Sequence, residues 1–252
     1  MELREALYNY LLRIGDTGLI RGQRLAEWVS NGPTLEEDIA LTNISLDLLG
    51  QARSALSYAA EVENKGATED SLAYLRSERE YFNNLLAELP NGDFAMSIAK
   101  QFLLDAYYVP FYRELSKSKD EKLAAIAAKS LKECIYHLRH SGEWVVRLGD
   151  GTELSKNKIQ EAFNNIWMFT ADLFEINETD EVLIEMEIGV DLRIIRNKWD
   201  EMVNEVFERA TLTRPADAYM QTGRLEGKHT EYLGHILSEL QYMQRAYPNS
   251  TW

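Results

Sequence analysis

The sequence predicts an all-α chain, built as a four-helix bundle with additional helices. Three observations lead there. Glu, Leu, Ala and Lys dominate long periodic stretches, and only 5 prolines interrupt 252 residues. Start and stop signals recur at helix-length intervals. No spaced set of Val/Ile/Thr runs with tight turns is present; Asn91-Gly92 and Asp150-Gly151 lie between helical patterns and read as helix–helix connections.

The first helix is expected from Leu3 to about Val29, stopped by Asn31-Gly32-Pro33. Thr34 and Glu37 form a T-x-x-E capping box that opens a second helix, running to Asn64-Lys65-Gly66. A third is expected over Glu69 to Glu88, closing at Pro90-Asn91-Gly92. Asp93 caps a fourth, to about Ser116, and Ser118 with Glu121 opens a fifth that ends at Gly149-Asp150-Gly151. Ser155 caps a sixth, to about Phe174, and two more follow over Asp191–Glu208 and Glu226–Ala246. The first, second, fourth and fifth each run to roughly 25–30 residues, on the order of 40 Å. Two hairpins of long helices joined by a crossover at 69–89 match the ferritin-like arrangement of a bundle. With no internal repeat and no linker composition, a single ferritin-like helical domain over 1–252 is expected.

Charge and composition narrow the function. The net charge of −14 repels a polyanion, and no basic stripe with interleaved aromatics offsets it, so no nucleic-acid partner is expected. An acidic surface suits a basic protein partner. One cysteine, Cys134, excludes an internal disulfide and fits a reducing compartment. The start MELREALYNYLLRIGDTG carries early charges and no cleavable apolar region, and no apolar run approaches the roughly 18 residues of a membrane span. A cytoplasmic protein is expected.

The segment 38–61, DIALTNISLDLLGQARSALSYAAE, reads as buried on nearly every side, yet Asn43, Asp47 and Gln51 recur at i, i+4, i+8. That spacing draws one polar stripe along one helix face, toward whatever the helix packs against. A dinuclear carboxylate site in a bundle needs such a stripe, made of Glu and paired E-x-x-H motifs. Here the stripe holds no Glu and no His. The chain has only 4 histidines, His137, His140, His229 and His235, and its one E-x-x-H is Glu226–His229 in the last predicted helix. A cap or surface role outweighs ligation for His229, and no metal site is expected.

Asp47 and Asp105 are hemmed by apolar neighbours and are expected to be enclosed, with Lys132, His137 and Arg139 of the fifth helix as partners. Such a set reads either as a catalytic acid/base pair or as a buried polar cluster that fixes helix register; the second is favoured. Gly18 and Gly22 in the first helix read as a close helix crossing. The run Glu175, Glu178, Asp180, Glu181, Glu185, Glu187 reads as a solvated face. Tyr107, Tyr108, Phe111 and Tyr112 read as core or interface filling, not a cofactor box, and Cys134 as buried and inert.

Four stretches carry a resemblance: TNISLDLLGQARSALSYAAE at 42–61, RSEREYFNN at 76–84, LKECIYHLR at 131–139 and HTEYLG at 229–234. They are similar to the C subunits of bacterial 1,2-phenylacetyl-CoA epoxidase, the multicomponent oxygenase of phenylacetic acid catabolism. The similarity runs from Arg13-Ile14-Gly15-Asp16 to Trp252. The resemblance implies a ferritin-like fold and a structural subunit with no catalytic, cofactor-binding or metal-binding residues. Its implied partner is the catalytic A subunit, which holds a di-iron site and epoxidises the aromatic ring with O2, beside other subunits of the complex. Laid beside that metal-bearing sister, the first E-x-x-H falls on Leu48 and Gln51, and the second on Cys134 and His137. The first-helix Glu falls near Gly18 and the fourth-helix acid near Asp105. Only two of these six positions keep a ligand-capable type, and Asp47, Gln51, Asp105 and His137 would be the relic of a metal site.

The reading is thus a scaffolding subunit, with a homodimer possible in isolation. Two rivals remain: a self-sufficient ferritin-like metal oxidase, and a noncatalytic helical module binding an apolar ligand.

Overall fold

The long helices form where the punctuation places them. The computed structural model describes residues 1–248 and 250 of the chain; Trp252, where the resemblance ends, lies outside the described residues. Helix α1 (Leu3–Ala26) and α2 (Leu35–Glu63) pack along each other. Thr34 accepts a hydrogen bond from the Glu37 N–H at 3.4 Å, and α2 ends on Asn64 in the left-handed conformation. Gly18 and Gly22 bring the two backbones together. A methyl added at Gly18 would sit 3.0 Å from the Leu48 carbonyl, and one at Gly22 2.9 Å from Leu49 Cγ. Ser45 Oγ uses the proximity to donate to the Gly22 carbonyl at 2.8 Å.

The expected third helix is not one helix. Its place is taken by α3 (Glu69–Tyr74), a 3₁₀ turn at Glu78–Glu80, an extended stretch and one turn, α4 (Leu85–Glu88). Side chains compete for its backbone. Asp16 accepts from the Phe82 N–H at 2.9 Å, and Thr17 accepts from the Asn84 N–H at 3.1 Å. Those amides are satisfied outside a helical ladder, so helix propensity loses.

Helix α5 (Phe94–Leu115) starts on Asp93, which accepts from the Met96 N–H at 3.1 Å, and it packs along α6 (Glu121–Gly149). The cap of α6 is Asp120 rather than Ser118: Asp120 accepts from Leu123 N–H, while Ser118 accepts from Asp120 N–H. Helix α7 (Glu153–Ile166) is capped by Thr152, with Ser155 as its reciprocal partner in the box, and two 3₁₀ turns complete the stretch to Phe174. The acidic run contains α8 (Glu178–Glu185), followed by α9 (Leu192–Arg209) with Asp191 as cap. The last predicted helix is split. A 3₁₀ turn at Arg224–Glu226 ends at Gly227, whose φ of +67° and approach to the Arg79 carbonyl leave no room for a Cβ. Helices α10 (Glu231–Leu240) and α11 (Tyr242–Ala246) follow.

The described residues are 73% helical with no strand, so the fold class is all-α. No helix among them is long and apolar enough to cross a membrane. The chain divides into two compact units: one of residues 1–90, 177–182 and 223–252, the other of 91–176 and 183–222. Helix α8 contributes to both.

The core of unit two is aromatic. Helix α5, not α2, is the element buried on nearly every side, from Ala95 to Tyr112. Tyr107 stacks on Phe111 with centroids 5.4 Å apart and meets Tyr108 edge-on at 5.0 Å. Phe174 and Trp199 extend the cluster, and Trp199 Nε1 donates to the Leu103 carbonyl at 2.9 Å. Each such ring pair adds about 0.5–1.5 kcal/mol beyond its area. By contrast α2 exposes Leu35, Ile39 and Leu46.

Candidate functional site

The polar stripe of α2 does not face inward along its length. Asn43 is exposed, Asp47 half-buried and Gln51 buried, so the stripe descends from solvent into unit one. In unit two, Asp105 and His137 are both buried. Asp105 Oδ2 accepts from Ser141 Oγ at 2.8 Å, and Ser141 stands one turn beyond His137 on α6. The two basic partners expected for the buried acids are corrected: Lys132 and Arg139 are exposed, and Arg139 pairs with Glu143 instead. Cys134 is buried.

The donor set does not suit a di-iron centre. Position 18 is a glycine pressed against the Leu48 carbonyl, with no room for a longer side chain, and Leu48 is apolar and buried. Gln51 is neutral, and Asp105 is engaged by Ser141. Among the described residues no group of three or more His, Cys, Asp or Glu is placed to hold a metal ion. The single E-x-x-H is not a ligand pair. Glu226 is exposed and paired with Lys228, while His229 turns inward to Glu88.

The densest polar chemistry lies in unit one, at positions the spacing rules did not assign. Asp16 of α1 forms a bidentate pair with Arg76, one arm at 3.0 Å. Arg76 also donates to the Leu72 and Glu80 carbonyls and lies over the Tyr81 ring at 4.3 Å. Burial works against the Arg76 charge, but Asp16 outweighs it and holds the guanidinium above its ordinary range. One turn earlier on α1, Arg13 donates to Asp180 and Asn177, each at 2.8 Å. Here burial dominates and Arg13 is lowered, with Asp180 opposing. The reading of the acidic run is therefore corrected at Asp180. Asn177 caps α8 by accepting from Thr179 N–H, Asp180 returns to the Asn177 N–H, and both are held by Arg13.

The second centre is Glu88. Its carboxylate accepts from Asn83 Nδ2 at 3.0 Å, from the Thr230 N–H at 2.8 Å and from Thr230 Oγ1 at 2.6 Å, and His229 Nδ1 lies 2.5 Å away. Beside it, Tyr81 Oη donates to the Ala73 carbonyl, and Gln241 Nε2 donates to the Arg76 carbonyl at 3.0 Å. Burial pushes the Tyr81 phenol up to about 12. Arg245 adds a bond to the same Arg76 carbonyl at 3.0 Å. His235, the other histidine of the last stretch, is exposed. An open groove of about 700 Å³ runs between Ser77-Glu78 and Leu237, Gln241, Tyr242 and Arg245.

These networks tie three stretches of unit one together: 13–17, 76–88 and 229–245. A signal for them existed, since 76–84 and 229–234 are among the stretches that carry the family resemblance and the similarity begins at 13–16. Pairing across such separations has no spacing rule, so the partners were not readable.

The phenylacetic acid catabolic protein family matches residues 1–252. The C subunit of the 1,2-phenylacetyl-CoA epoxidase of Escherichia coli (strain K12) is 49% identical over 246 residues, covering 98% of this chain and 99% of that one.

Proposed function

The chain belongs to the phenylacetic acid catabolic protein family, whose fold is ferritin-like, and on that premise we propose that it is the structural, noncatalytic subunit of a cytoplasmic multicomponent phenylacetyl-CoA ring 1,2-epoxidase. The observation that carries this reading is the 49% identity that extends over nearly the whole of both chains. The chain supports a catalytic sister subunit in aerobic phenylacetate degradation. The sister holds the di-iron centre, and this chain binds no cofactor.

The donor chemistry supports the division of labour. In the register that the resemblance implies, Gly18, Leu48 and Gln51 stand where a metal pair would need carboxylates or imidazole. The scaffold acts mechanically. A catalytic centre tolerates displacements of only about 0.5 Å, and a rigid neighbour limits them. Rigidity comes from the charge-paired core of unit one and the aromatic core of unit two.

The test is assembly. Mixed with the iron-bearing sister, the purified chain co-elutes with it on a sizing column and raises its turnover. Separate elution, with turnover unchanged by this chain, overturns the reading.

A further inference from the structure

We propose that His229 is a proton-dependent latch: as an imidazolium it fastens the C-terminal segment 227–246 to the segment 78–89, and loss of one proton loosens it.

The geometry counts the protons. His229 Nε2 lies 2.8 Å from the Tyr81 carbonyl oxygen, which can only accept, so Nε2 carries a hydrogen. His229 Nδ1 lies 2.5 Å from Glu88 Oε1. Glu88 already accepts from Asn83 and twice from Thr230. Both Glu88 oxygens therefore already act as acceptors, and the hydrogen of this contact is placed on Nδ1 as well. A ring with two N–H groups is a cation. Both side chains are 0% exposed, and a buried charge is tolerated only when paired. Removing the proton sets a lone pair against the Glu88 carboxylate with no solvent to screen them.

The latch joins parts that little else ionisable holds. Thr230 precedes α10, yet its hydroxyl serves Glu88 rather than capping the helix, so α10 is anchored through Glu88. Thr230 aside, the other side-chain bonds in the seam come from Gln241, to the Tyr81 hydroxyl at 3.1 Å, and from Gln241 and Arg245 to the Arg76 carbonyl. An open cavity of about 480 Å³, lined by Glu78, Arg79, Glu226, Gly227, Lys228 and His229, adjoins the segment that carries the ring.

The groups facing the ring act as follows. Burial lowers the affinity of His229 for its proton, but the Glu88 hydrogen bond and charge, the Tyr81 carbonyl and the more distant Glu78 outweigh it, and the net shift is upward from 6.5. Arg24 of α1 donates to the Glu88 backbone carbonyl at 2.7 and 3.0 Å, behind the carboxylate. Arg79, Glu226 and Lys228 lie exposed around the cavity, and Glu231 of α10 is exposed. With the folded value above 6.5, the contribution is complete below 6.5 and disappears as pH rises through the folded value. The Met1 amino group, raised from 8.0 by its hydrogen bond to Glu178, loses its pairing in the same direction, so a control variant is needed.

The experiment uses the full chain. Nitrogen NMR of the imidazoles near neutral pH shows both His229 nitrogens protonated. Hydrogen exchange across α10, corrected for intrinsic rate, loses protection by up to about tenfold per pH unit above the unfolded histidine value. His229→Gln keeps the shape without the charge and removes that slope, leaving the Met1 contribution. A His229 ring with one protonated nitrogen near neutrality, or an unchanged slope in His229→Gln, overturns the proposal. If His229→Gln does not fold, the ring spectrum of the unaltered chain decides.

Discussion

Unit one is held by paired charges and unit two by stacked rings. In unit one the segment 76–88 runs without a continuous helix because Asp16, Thr17, Arg76 and His229 take over its backbone groups. In unit two the elements are regular and the interior is filled by Tyr107, Phe111, Phe174 and Trp199. The difference teaches where each unit is brittle. A charge stripped of its partner stays buried and unscreened, whereas an aromatic core can repack around a smaller ring.

The largest expected effect follows from that contrast. Arg76→Ala strands Asp16 and frees two carbonyls, and urea unfolding should register a loss of about 3–5 kcal/mol. Asp16→Leu combined with Arg76→Met removes both charges together. Its loss should be smaller than the sum of the single variants, and strict additivity would break the view of unit one as charge-paired. In unit two, Trp199→Phe keeps a ring and gives up the bond to the Leu103 carbonyl, so a loss of about 1–3 kcal/mol is expected by the same measurement. A loss as large as that of Arg76→Ala would erase the comparison.

The smallest effects separate two glycines in the α1–α2 pair. Gly18→Ala places a methyl 3.0 Å from the Leu48 carbonyl and should lower the thermal midpoint, with a cost of about 1–3 kcal/mol. Gly50 has nothing within 4 Å of an added Cβ, and Gly50→Ala should stabilise α2 by about 0.5–1 kcal/mol. Opposite signs sharpen the account of the crossing; equal signs would refute it.

Much of the helical frame was legible in the amino-acid sequence because its signals are local. Thr34, Asp93, Asp191, Asn64 and the small residues Gly18 and Gly22 each act within a turn or at one crossing. What failed was non-local. The stretch 69–88 has the propensity of a helix, and only distant residues of α1 explain why it is not one. Asp180 looked like one acid among many until Arg13 was seen against it. Glu226–His229 satisfied a motif whose glutamate turns outward, while the true partner, Glu88, lies 141 positions earlier. Asp105 is buried as its apolar neighbours implied, whereas Asp47, hemmed in the same way, is only half-buried, and the Ser141 partner of Asp105 was not legible.

The central claim is that this chain supports chemistry carried out elsewhere. The most direct measurement loads the isolated chain with ferrous iron, then supplies O2, an electron source and phenylacetyl-CoA. The account predicts no stoichiometric iron and no epoxide until the catalytic sister is added. A tightly held iron pair with epoxide formed by this chain alone would contradict it.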